Sequence, residues 1–231
     1  MSKPEIRAIL FDAAGTLIHL RESVGESYSR VAKSHGIKLD PGITDSSFQS
    51  IWRAMPPLGS QDGTSGERSE KAWWRTLVDL VLDEQNVPSG TIRDGYFEDL
   101  FQSYASPTAW RPYPETPDVL DAITRRGLRL AVLSNFDSRL IPVLDGLGLS
   151  SRFDEIFFSG KIGHAKPSPE IFGHAVAALR LRPDECLHVG DDPDCDWAGA
   201  RAAGLQAFEL DRSKHDLSGL LELPNLPDFS N

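Results

Sequence analysis

The sequence contains few cysteines, and no apolar stretch in it is long enough to cross a membrane. Cys186 and Cys195 are the two cysteines among 231 residues, so a framework of several disulfides is excluded. The charged start, Met1 to Glu5, also lacks the apolar region of a signal peptide. These features are typical of a reducing compartment, and we expect a cytoplasmic protein without a membrane partner.

Positive charge is scarce as well. The chain has 24 Lys and Arg against 34 Asp and Glu, which gives a formal net charge of −10, and it contains no Lys/Arg-rich run. This balance argues against a nucleic-acid partner. A small phosphorylated substrate remains compatible with it, since a local cation can reverse the field inside one cleft. The composition does not distinguish a monomer from a small homo-oligomer.

An apolar run near the start predicts a strand that is buried on both faces and that ends at Asp12. The run comprises residues 6–11, and Gly15 follows three residues after Asp12, where the chain has to turn. Ligands of an open α/β sheet bind at the carboxyl ends of its strands. The Asp12 carboxylate there has three possible roles, which are attack on phosphorus, metal binding and capping of a turn.

After this strand the pattern becomes helical for about ninety residues. Residues 19–109 are predicted to form an all-helical insertion without a strand, and residues 56–66, rich in Gly and Pro, to form a mobile loop. The apolar spacing predicts four helices, at about 24–35, 43–55, 67–85 and 91–104.

Strands and helices then alternate to the end of the chain. Further strands are predicted at about 128–133, 155–159, 187–189 and 206–210, with helices between them. Such alternation is typical of a parallel sheet covered by helices on both faces. The predicted fold class is therefore α/β, with a Rossmann-like three-layer core formed by residues 1–18 and 110–231.

Polar residues follow several of the predicted strands. Ser134-Asn135 and Asp191-Asp192 stand at strand ends like Asp12, and Lys166 precedes a helix. If the strands are neighbours, at least three carboxylates converge, and they stay ionised together only around a cation. Oxygen ligands without histidine favour Mg²⁺ over zinc. Ser134, Asn135 and Lys166 are the candidate phosphate-binding residues, and Asp12 is placed as an in-line nucleophile.

Taken in order, these motifs resemble those of the haloacid dehalogenase superfamily, whose phosphatase members carry four motifs at strand ends. Asp12 with Gly15-Thr16 is similar to the first, Ser134 to the second, Lys166 in Lys-Pro-Ser-Pro-Glu to the third, and Gly190-Asp191-Asp192 with Asp196 to the fourth. Within the superfamily, Ser-Asn-Phe-Asp at 134–137 and the Trp73-Trp74 pair resemble the branch around rhythmically expressed gene two. The resemblance implies that the helical insertion is a cap domain.

The resemblance also implies roles for the acidic residues. Asp12 would be the catalytic nucleophile and a metal ligand, assisted by Lys166, and Asp191 would bind Mg²⁺ directly. Asp196 would be a further ligand or would hold a water on the metal, and the main-chain carbonyl of Ala14 would complete the site. Asp192 would belong to the metal site or cap the following turn.

One position departs from the family pattern. Phosphatases of this family carry a second Asp two residues after the nucleophile, as general acid and base, and this chain has Ala14 there. Loss of such a group typically costs ~10²–10⁴-fold in rate. Asp137 and His19 are the candidate replacements. The residues Lys33, Lys38 and Lys71 are the cap lysines on which a phosphonatase-like cleavage of a C–P bond would depend.

The predicted function is Mg²⁺-dependent hydrolysis of a small phosphorylated metabolite through an aspartyl-phosphate. The main alternative is a weak or inactive family member that binds a phosphorylated ligand or a partner, and a lesser one is a C–P hydrolase. Trp73 and Trp74 are expected to belong to the cap core, with at least one of them able to face the cleft. His188 is expected to be a core histidine.

Overall fold

Seven strands form two sheets in the described part of the computed structural model, which covers residues 5–59, 66–224 and 226–227. The strands are β1 (Ala8–Phe11), β2 (Ile18–Leu20), β3 (Trp110–Pro112), β4 (Arg129–Ser134), β5 (Glu155–Phe158), β6 (Cys186–Gly190) and β7 (Gln206–Glu209). The larger sheet has the order β5-β4-β1-β6-β7, and every neighbouring pair in it is parallel. The smaller sheet is an antiparallel pair of β2 and β3.

Helices connect the strands. Those between β2 and β3 are α1 (Val24–Ser34), α2 (Pro41–Ala54), α3 (Glu67–Glu84) and α4 (Thr91–Ala105). Those that follow are α5 (Thr116–Arg125), α6 (Leu140–Gly146), α7 (Ser159–Ile162), α8 (Pro169–Leu179) and α9 (Gly199–Ala202), the last preceded by a π-helical segment at Pro193–Ala198.

The central strand β1 is buried on both faces, as its apolar run predicts. All four of its residues are 0% exposed. Because side chains alternate along a strand, Ile9 and Phe11 join a cluster with residues of α5 and α6, whereas Ala8 and Leu10 join a cluster with residues of α8. This helix–sheet–helix arrangement confirms the predicted α/β fold class.

The four helices α1 to α4 share a separate hydrophobic cluster, which includes Tyr28, Leu77, Tyr96 and Phe97. Their starts follow from local sequence. Ser23 and Glu26 form a capping box at the start of α1, and the Asp40 side chain accepts a hydrogen bond from the Ile43 amide at the start of α2. The Asp40 cap explains why α2 begins two residues before the predicted start.

The expectation that residues 19–109 contain no strand was wrong at residues 19 and 20. They belong to β2, which pairs with β3 about ninety residues further along the chain, in the register Ile18–Pro112 and Leu20–Trp110. Strands of three residues are too short to show alternation, and only the fold brings them together. The division of the chain into a core at 1–18 and 110–231 and a cap at 19–109 stays a prediction.

Two other expectations concern the predicted mobile loop and the lack of a membrane-spanning stretch. Most of the predicted mobile loop at 56–66, namely residues 60–65, lies outside the described residues. Within the described residues, no helix combines the length and the apolar character needed to cross a membrane.

Candidate active site

The predicted strand-end residues meet at one edge of the parallel sheet. Asp12 follows β1, Ser134 ends β4, and Asp191 follows β6, and β4 and β6 flank β1. The Asp12 amide donates a hydrogen bond to the carbonyl oxygen of Val189 at 2.8 Å, which continues the pairing of β1 with β6 past the end of the strand. The sheet order therefore sets the side chains of Asp12, Ser134 and Asp191 side by side.

Three carboxylates are crowded at this edge. Asp12, Asp191 and Asp196 each offer an oxygen, and these oxygens lie within 4.8 Å of one another. Burial, followed by the charges of Asp12 and Asp196, raises the pKa of Asp191 to about 6. Burial also raises the pKa of Asp12, against the opposing effect of Lys166. An all-oxygen set of mutually repelling carboxylates fits a hard divalent cation such as Mg²⁺.

Lys166 is the cation of the site. It is 2% exposed, and its Nζ donates to Asp12 Oδ1 at 2.8 Å and to Asp196 Oδ1 at 2.5 Å. Burial alone would lower the pKa of Lys166, but the charges of Asp12 and Asp196 raise it above its ordinary value. Lys166 therefore carries its charge at physiological pH, between the two carboxylates.

Asp196 is held by three donors. Besides Lys166 at Oδ1, His188 Nε2 lies 2.8 Å from Oδ1, and the Asp192 amide donates to Oδ2 at 3.0 Å. Burial opposes ionisation of Asp196, but Lys166 and then His188 lower its pKa below the usual range. His188 is fully buried inside β6, as predicted for a core histidine, and burial lowers its pKa.

Ser134 and Asn135 have different surroundings. The Ser134 hydroxyl is buried beside Asp12 and, like Lys166, opposes the rise that burial causes in the pKa of that carboxylate. The side chain of Asn135 binds the main chain of Lys166, since its Oδ1 accepts from the Lys166 amide at 2.7 Å and its Nδ2 donates to the Lys166 carbonyl at 2.8 Å. The binding of phosphate by Asn135 stays a prediction; in the structure its amide holds the segment that carries Lys166.

The turn after Asp12 fits closely around the acidic cluster. Gly15 has a φ of +91°, and a Cβ on it would lie 2.4 Å from an Asp191 oxygen, so only glycine is accommodated there. Thr16 donates to Asp191 Oδ1 at 3.1 Å and orients that carboxylate. Ala14 is exposed at this turn and places no polar side-chain atom near Asp12.

Asp192 acts as a cap. Its Oδ1 accepts hydrogen bonds from the amides of Asp194 and Cys195, at 2.9 and 2.7 Å, at the start of the π-helical segment. Of the two roles that the sequence left open for Asp192, these contacts favour the capping role.

A cavity of about 340 Å³, called the chamber below, lies between the acidic cluster and helices α1 to α4. Asp12, Lys166 and Asp191 line its floor. Its opposite wall is formed by large aromatic side chains, among them Tyr28, Phe48, Trp52, Trp74, Phe97 and Phe101. Trp74 was expected to belong to the cap core or to face the cleft, and it lines the chamber.

Trp74 connects this wall to the loop after β4. Its Nε1 donates to Asp137 Oδ2 at 2.5 Å, and the guanidinium of Arg139 lies 4.7 Å from the Trp74 ring. Asp137 is fully buried and forms two side-chain hydrogen bonds with Arg139, at 2.9 and 2.6 Å. On α3, the Glu70 carboxylate accepts from the amide and hydroxyl of Ser138.

These contacts bear on the candidate replacements for the missing acid. Asp137 is occupied by Arg139 and Trp74, and it is not among the residues that line the chamber. His19 is not among them either; its Nδ1 lies 2.8 Å from the Leu20 carbonyl oxygen. Both residues are therefore poorly placed to protonate a leaving group above Asp12.

The fold and the acidic cluster define a hydrolase of the haloacid dehalogenase type. A family model described as haloacid dehalogenase-like hydrolase matches residues 6–204, and the chain belongs to this family. The resemblance indicated by the four motifs is thus confirmed. A crystal structure of a dehalogenase superposes with a TM-score of 0.74 at 20% identity, covering 98% of each chain, which agrees with the fold.

Particular relatives agree with the predicted branch. Haloacid dehalogenase-like hydrolase domain-containing protein 3 of Homo sapiens is 34% identical over 204 residues, which are 88% of this chain and 81% of that protein. Rhythmically expressed gene 2 protein of Drosophila melanogaster is 27% identical, over 99% of this chain and 95% of that protein. A phosphoserine phosphatase of Thermus thermophilus is 32% identical over 69% of this chain and 64% of its own length.

Proposed function

We propose that the protein is a Mg²⁺-dependent phosphatase that acts on a small phosphorylated substrate through an aspartyl-phosphate. The observation that carries this proposal is the placement of Asp12, Lys166 and two further carboxylates on the floor of one chamber. The similarity to a phosphoserine phosphatase supports the reaction class. A cytoplasmic location and a monomeric or small homo-oligomeric state remain predictions.

The proposed reaction starts at Asp12. One of its carboxylate oxygens attacks phosphorus in line with the ester oxygen; as the new O–P bond forms, the ester P–O bond breaks and its electron pair leaves with the ester oxygen. Water then attacks the phosphorus of the aspartyl-phosphate, which releases inorganic phosphate and restores the carboxylate. Lys166 and the Ser134 hydroxyl hold the phosphoryl oxygens, and Asn135 positions Lys166 through its main chain.

Asp12, Asp191 and the main-chain carbonyl of Ala14 would bind the metal directly. Asp196 belongs to its outer surroundings, because both Asp196 oxygens already accept hydrogen bonds from the protein. When bound, Mg²⁺ supplies positive charge that neutralises the crowded carboxylates and the phosphoryl oxygens.

The lack of an acid at Ala14 supports a second candidate function. Without a carboxylate at that position, and with Asp137 and His19 engaged elsewhere, the leaving oxygen departs unprotonated by these residues. A slow or inactive protein that binds a phosphorylated ligand in the same chamber is therefore the alternative. C–P cleavage is less well supported, because Lys33, Lys38 and Lys71 do not line the chamber and Lys71 bonds to Glu98 at 2.6 Å.

The proposal is tested by a screen of phosphorylated metabolites and acyl phosphates with millimolar Mg²⁺, with Asp12→Asn as the control. We expect release of phosphate by the wild type, none by the variant, and a mass increase of one phosphoryl group on Asp12 after rapid quenching. Phosphate release that survives in Asp12→Asn would contradict the role of Asp12 as nucleophile. Metal-dependent binding without turnover of any compound would favour the ligand-binding alternative.

A further inference from the structure

The chamber differs in chemistry between its floor and its opposite wall. The floor carries Asp12, Asp191, Asp196 and Lys166, whereas the described lining residues from 20 to 110 carry no charged side chain. The aliphatic residues Leu20, Val24, Val78 and Leu100 line the chamber together with the aromatic rings. A molecule that places its phosphoryl group on the floor therefore projects its remaining atoms into apolar surroundings.

Several polar groups near this wall are already paired within the protein. The indole N–H of Trp74 donates to Asp137, and that of Trp110 donates to the Tyr104 carbonyl oxygen at 3.0 Å. Arg139 also lines the chamber, but its guanidinium binds Asp137 and, at 3.3 Å, the Phe101 carbonyl oxygen. These groups have little capacity left for a polyhydroxylated or zwitterionic ligand.

The Tyr104 hydroxyl adds no accessible partner for a ligand. Its oxygen is buried, and among the described residues no group makes a hydrogen bond of ordinary geometry with it. The nearby Ser27 hydroxyl donates to Glu22 at 2.9 Å. Burial raises the pKa of Tyr104 to about 12, so the hydroxyl stays protonated. The wall therefore offers few partners to a polar ligand, and most hydroxyls or amines placed against it would lose their bonds to water without replacement.

We infer that the phosphorylated ligand of this chamber carries a flat, apolar, aromatic group rather than a sugar, an amino acid or another polar metabolite. The inference deepens the proposed function, since it takes the position of the phosphoryl group from that proposal. The chemistry of the wall favours aromatic rings because its own rings, which contact one another, also line the cavity and present aromatic surface to a ligand. A volume of about 340 Å³ lies within the range of small-molecule sites, roughly 300–1,000 Å³.

The absence of an acid at Ala14 is a separate argument for the same class of molecule. A leaving group that departs without protonation has to be a stable anion, as phenolates and carboxylates are and alkoxides are not. An aromatic group joined to phosphate through such an oxygen is either an aryl phosphate or an aroyl phosphate. Both share the chemistry that the chamber recognises, and substrate pairs distinguish them.

The test uses two pairs of substrates, matched in leaving-group acidity and different in apolar area. They are 2-naphthyl phosphate with phenyl phosphate, and benzoyl phosphate with acetyl phosphate, each measured with Mg²⁺. We expect kcat/KM to be at least about tenfold higher for the larger member of a pair, because its additional ring carbons leave water. Because leaving-group acidity differs between the pairs, the ratio within each pair is compared, and the pair with the larger ratio identifies the aryl or the aroyl source.

Two variants compare a negative charge introduced into the wall of the chamber with the same charge introduced outside the chamber. Val24→Asp introduces a carboxylate into the chamber at the first residue of α1, where an acidic residue suits the helix. We expect it to reduce the preference for the larger substrates to about twofold or less. Ile92→Asp, at a residue of the same helical block that is 56% exposed and outside the chamber, should retain the full preference.

Different experimental results would contradict the inference and the proposed function. Turnover of all four substrates without a size preference would overturn the aromatic ligand and leave the phosphatase intact. If none is hydrolysed, the phosphatase proposal fails, and binding then decides the ligand class. At millimolar Mg²⁺, calorimetry with 2-naphthylphosphonate should then give an affinity at least about tenfold higher than with methylphosphonate. Equal affinities, or binding of neither, would overturn the inference.

Discussion

The side chain of Asn135 forms two hydrogen bonds with the main chain of Lys166, one with its amide at 2.7 Å and one with its carbonyl oxygen at 2.8 Å. This pairing joins the end of β4 to the segment that carries the buried ammonium group. We predict that Asn135→Ala lowers kcat/KM by up to ~10²-fold, because Lys166 loses its fixed position relative to Asp12.

Thermal unfolding of Asn135→Ala checks whether the loss of activity comes from the site and not from unfolding of the protein. We expect a free energy of unfolding lower by about 1–3 kcal/mol, which leaves the protein folded at room temperature. Asn135→Asp keeps the acceptor for the Lys166 amide but loses the donor, so its activity should lie between those of the wild type and Asn135→Ala. An unchanged kcat/KM in both variants would show that Lys166 does not need this support.

The second prediction concerns metal binding. Because Asp12, Asp191 and Asp196 crowd within 4.8 Å, a divalent cation should relieve their repulsion and stabilise the folded protein by mass action. We expect millimolar Mg²⁺ to raise the Tm of the wild type, and Asp191→Asn to abolish that increase. Asp192→Asn, which alters a capping residue outside the cluster, should retain most of it. A wild-type Tm that is indifferent to Mg²⁺ would remove the basis for the metal site.

The third prediction gives the pH dependence of the metal effect. In the metal-free protein the pKa of Asp191 is raised to about 6. Protonation of Asp191 therefore favours the folded state, and this contribution to the free energy of unfolding is lost as the pH rises from about 4 through 6. Mg²⁺ requires the ionised carboxylate and competes with that proton. At pH 5 only about a tenth of Asp191 is ionised, and the apparent Mg²⁺ affinity should be about tenfold weaker than at pH 7.5.

Calorimetric titration of Mg²⁺ at pH 5, 6 and 7.5 measures this affinity directly. Binding at pH 6 should also release protons, which is detected by repeating the titration in buffers of different ionisation enthalpy. An affinity that is constant between pH 5 and 7.5 would show that Asp191 is ionised throughout this range.

The fourth prediction concerns Ala14. Because this position has no acid, the rate should depend steeply on the acidity of the leaving group, and acyl phosphates should react far faster than alkyl phosphates. Ala14→Asp should raise the activity on alkyl phosphates by up to ~10²–10⁴-fold. We expect the gain to stay below the upper end of this range, since the new carboxylate joins a cluster that is already dense in negative charge. A flat dependence in the wild type, with no gain in Ala14→Asp, would point to another acid.

The fifth prediction compares two ion pairs that have the same sequence spacing and different burial. In the pair of Asp137 with Arg139 the side chains are 0% and 7% exposed, whereas in the pair of Asp184 with Arg182 they are 52% and 66% exposed. Asp137→Ala leaves a buried guanidinium without its partner and should cost about 3–5 kcal/mol in the free energy of unfolding. Asp184→Ala should cost far less, because water screens both charges of this exposed pair.

Denaturant unfolding of the two variants provides the comparison. Because Asp137 also accepts the hydrogen bond from Trp74, the milder variant Trp74→Phe separates that contact from the ion pair. We expect Trp74→Phe to lose about 1–3 kcal/mol. Similar losses for Asp137→Ala and Asp184→Ala would show that burial does not govern the strength of these pairs.

The sequence by itself determined the fold class and most of the floor of the site. The apolar run before Asp12, and the later strands before Ser134 and Asp191, have the composition of strands buried in a parallel sheet. In such a sheet the carboxyl ends of neighbouring strands share one edge. The convergence of these residues therefore follows from local pattern, without knowledge of any distance.

Contacts between segments distant in the sequence were decided only by the tertiary structure. The pairing of β2 with β3, the binding of Lys166 by Asn135 and the burial of Asp137 with Arg139 join or enclose segments in ways that leave no periodic signal. The chamber is the clearest case. A helical stripe of aromatic residues predicts a buried face. The stripe is the same whether that face packs against other side chains or borders a cavity, because both require an apolar surface. Which of the two occurs depends on how the helices sit over the sheet edge.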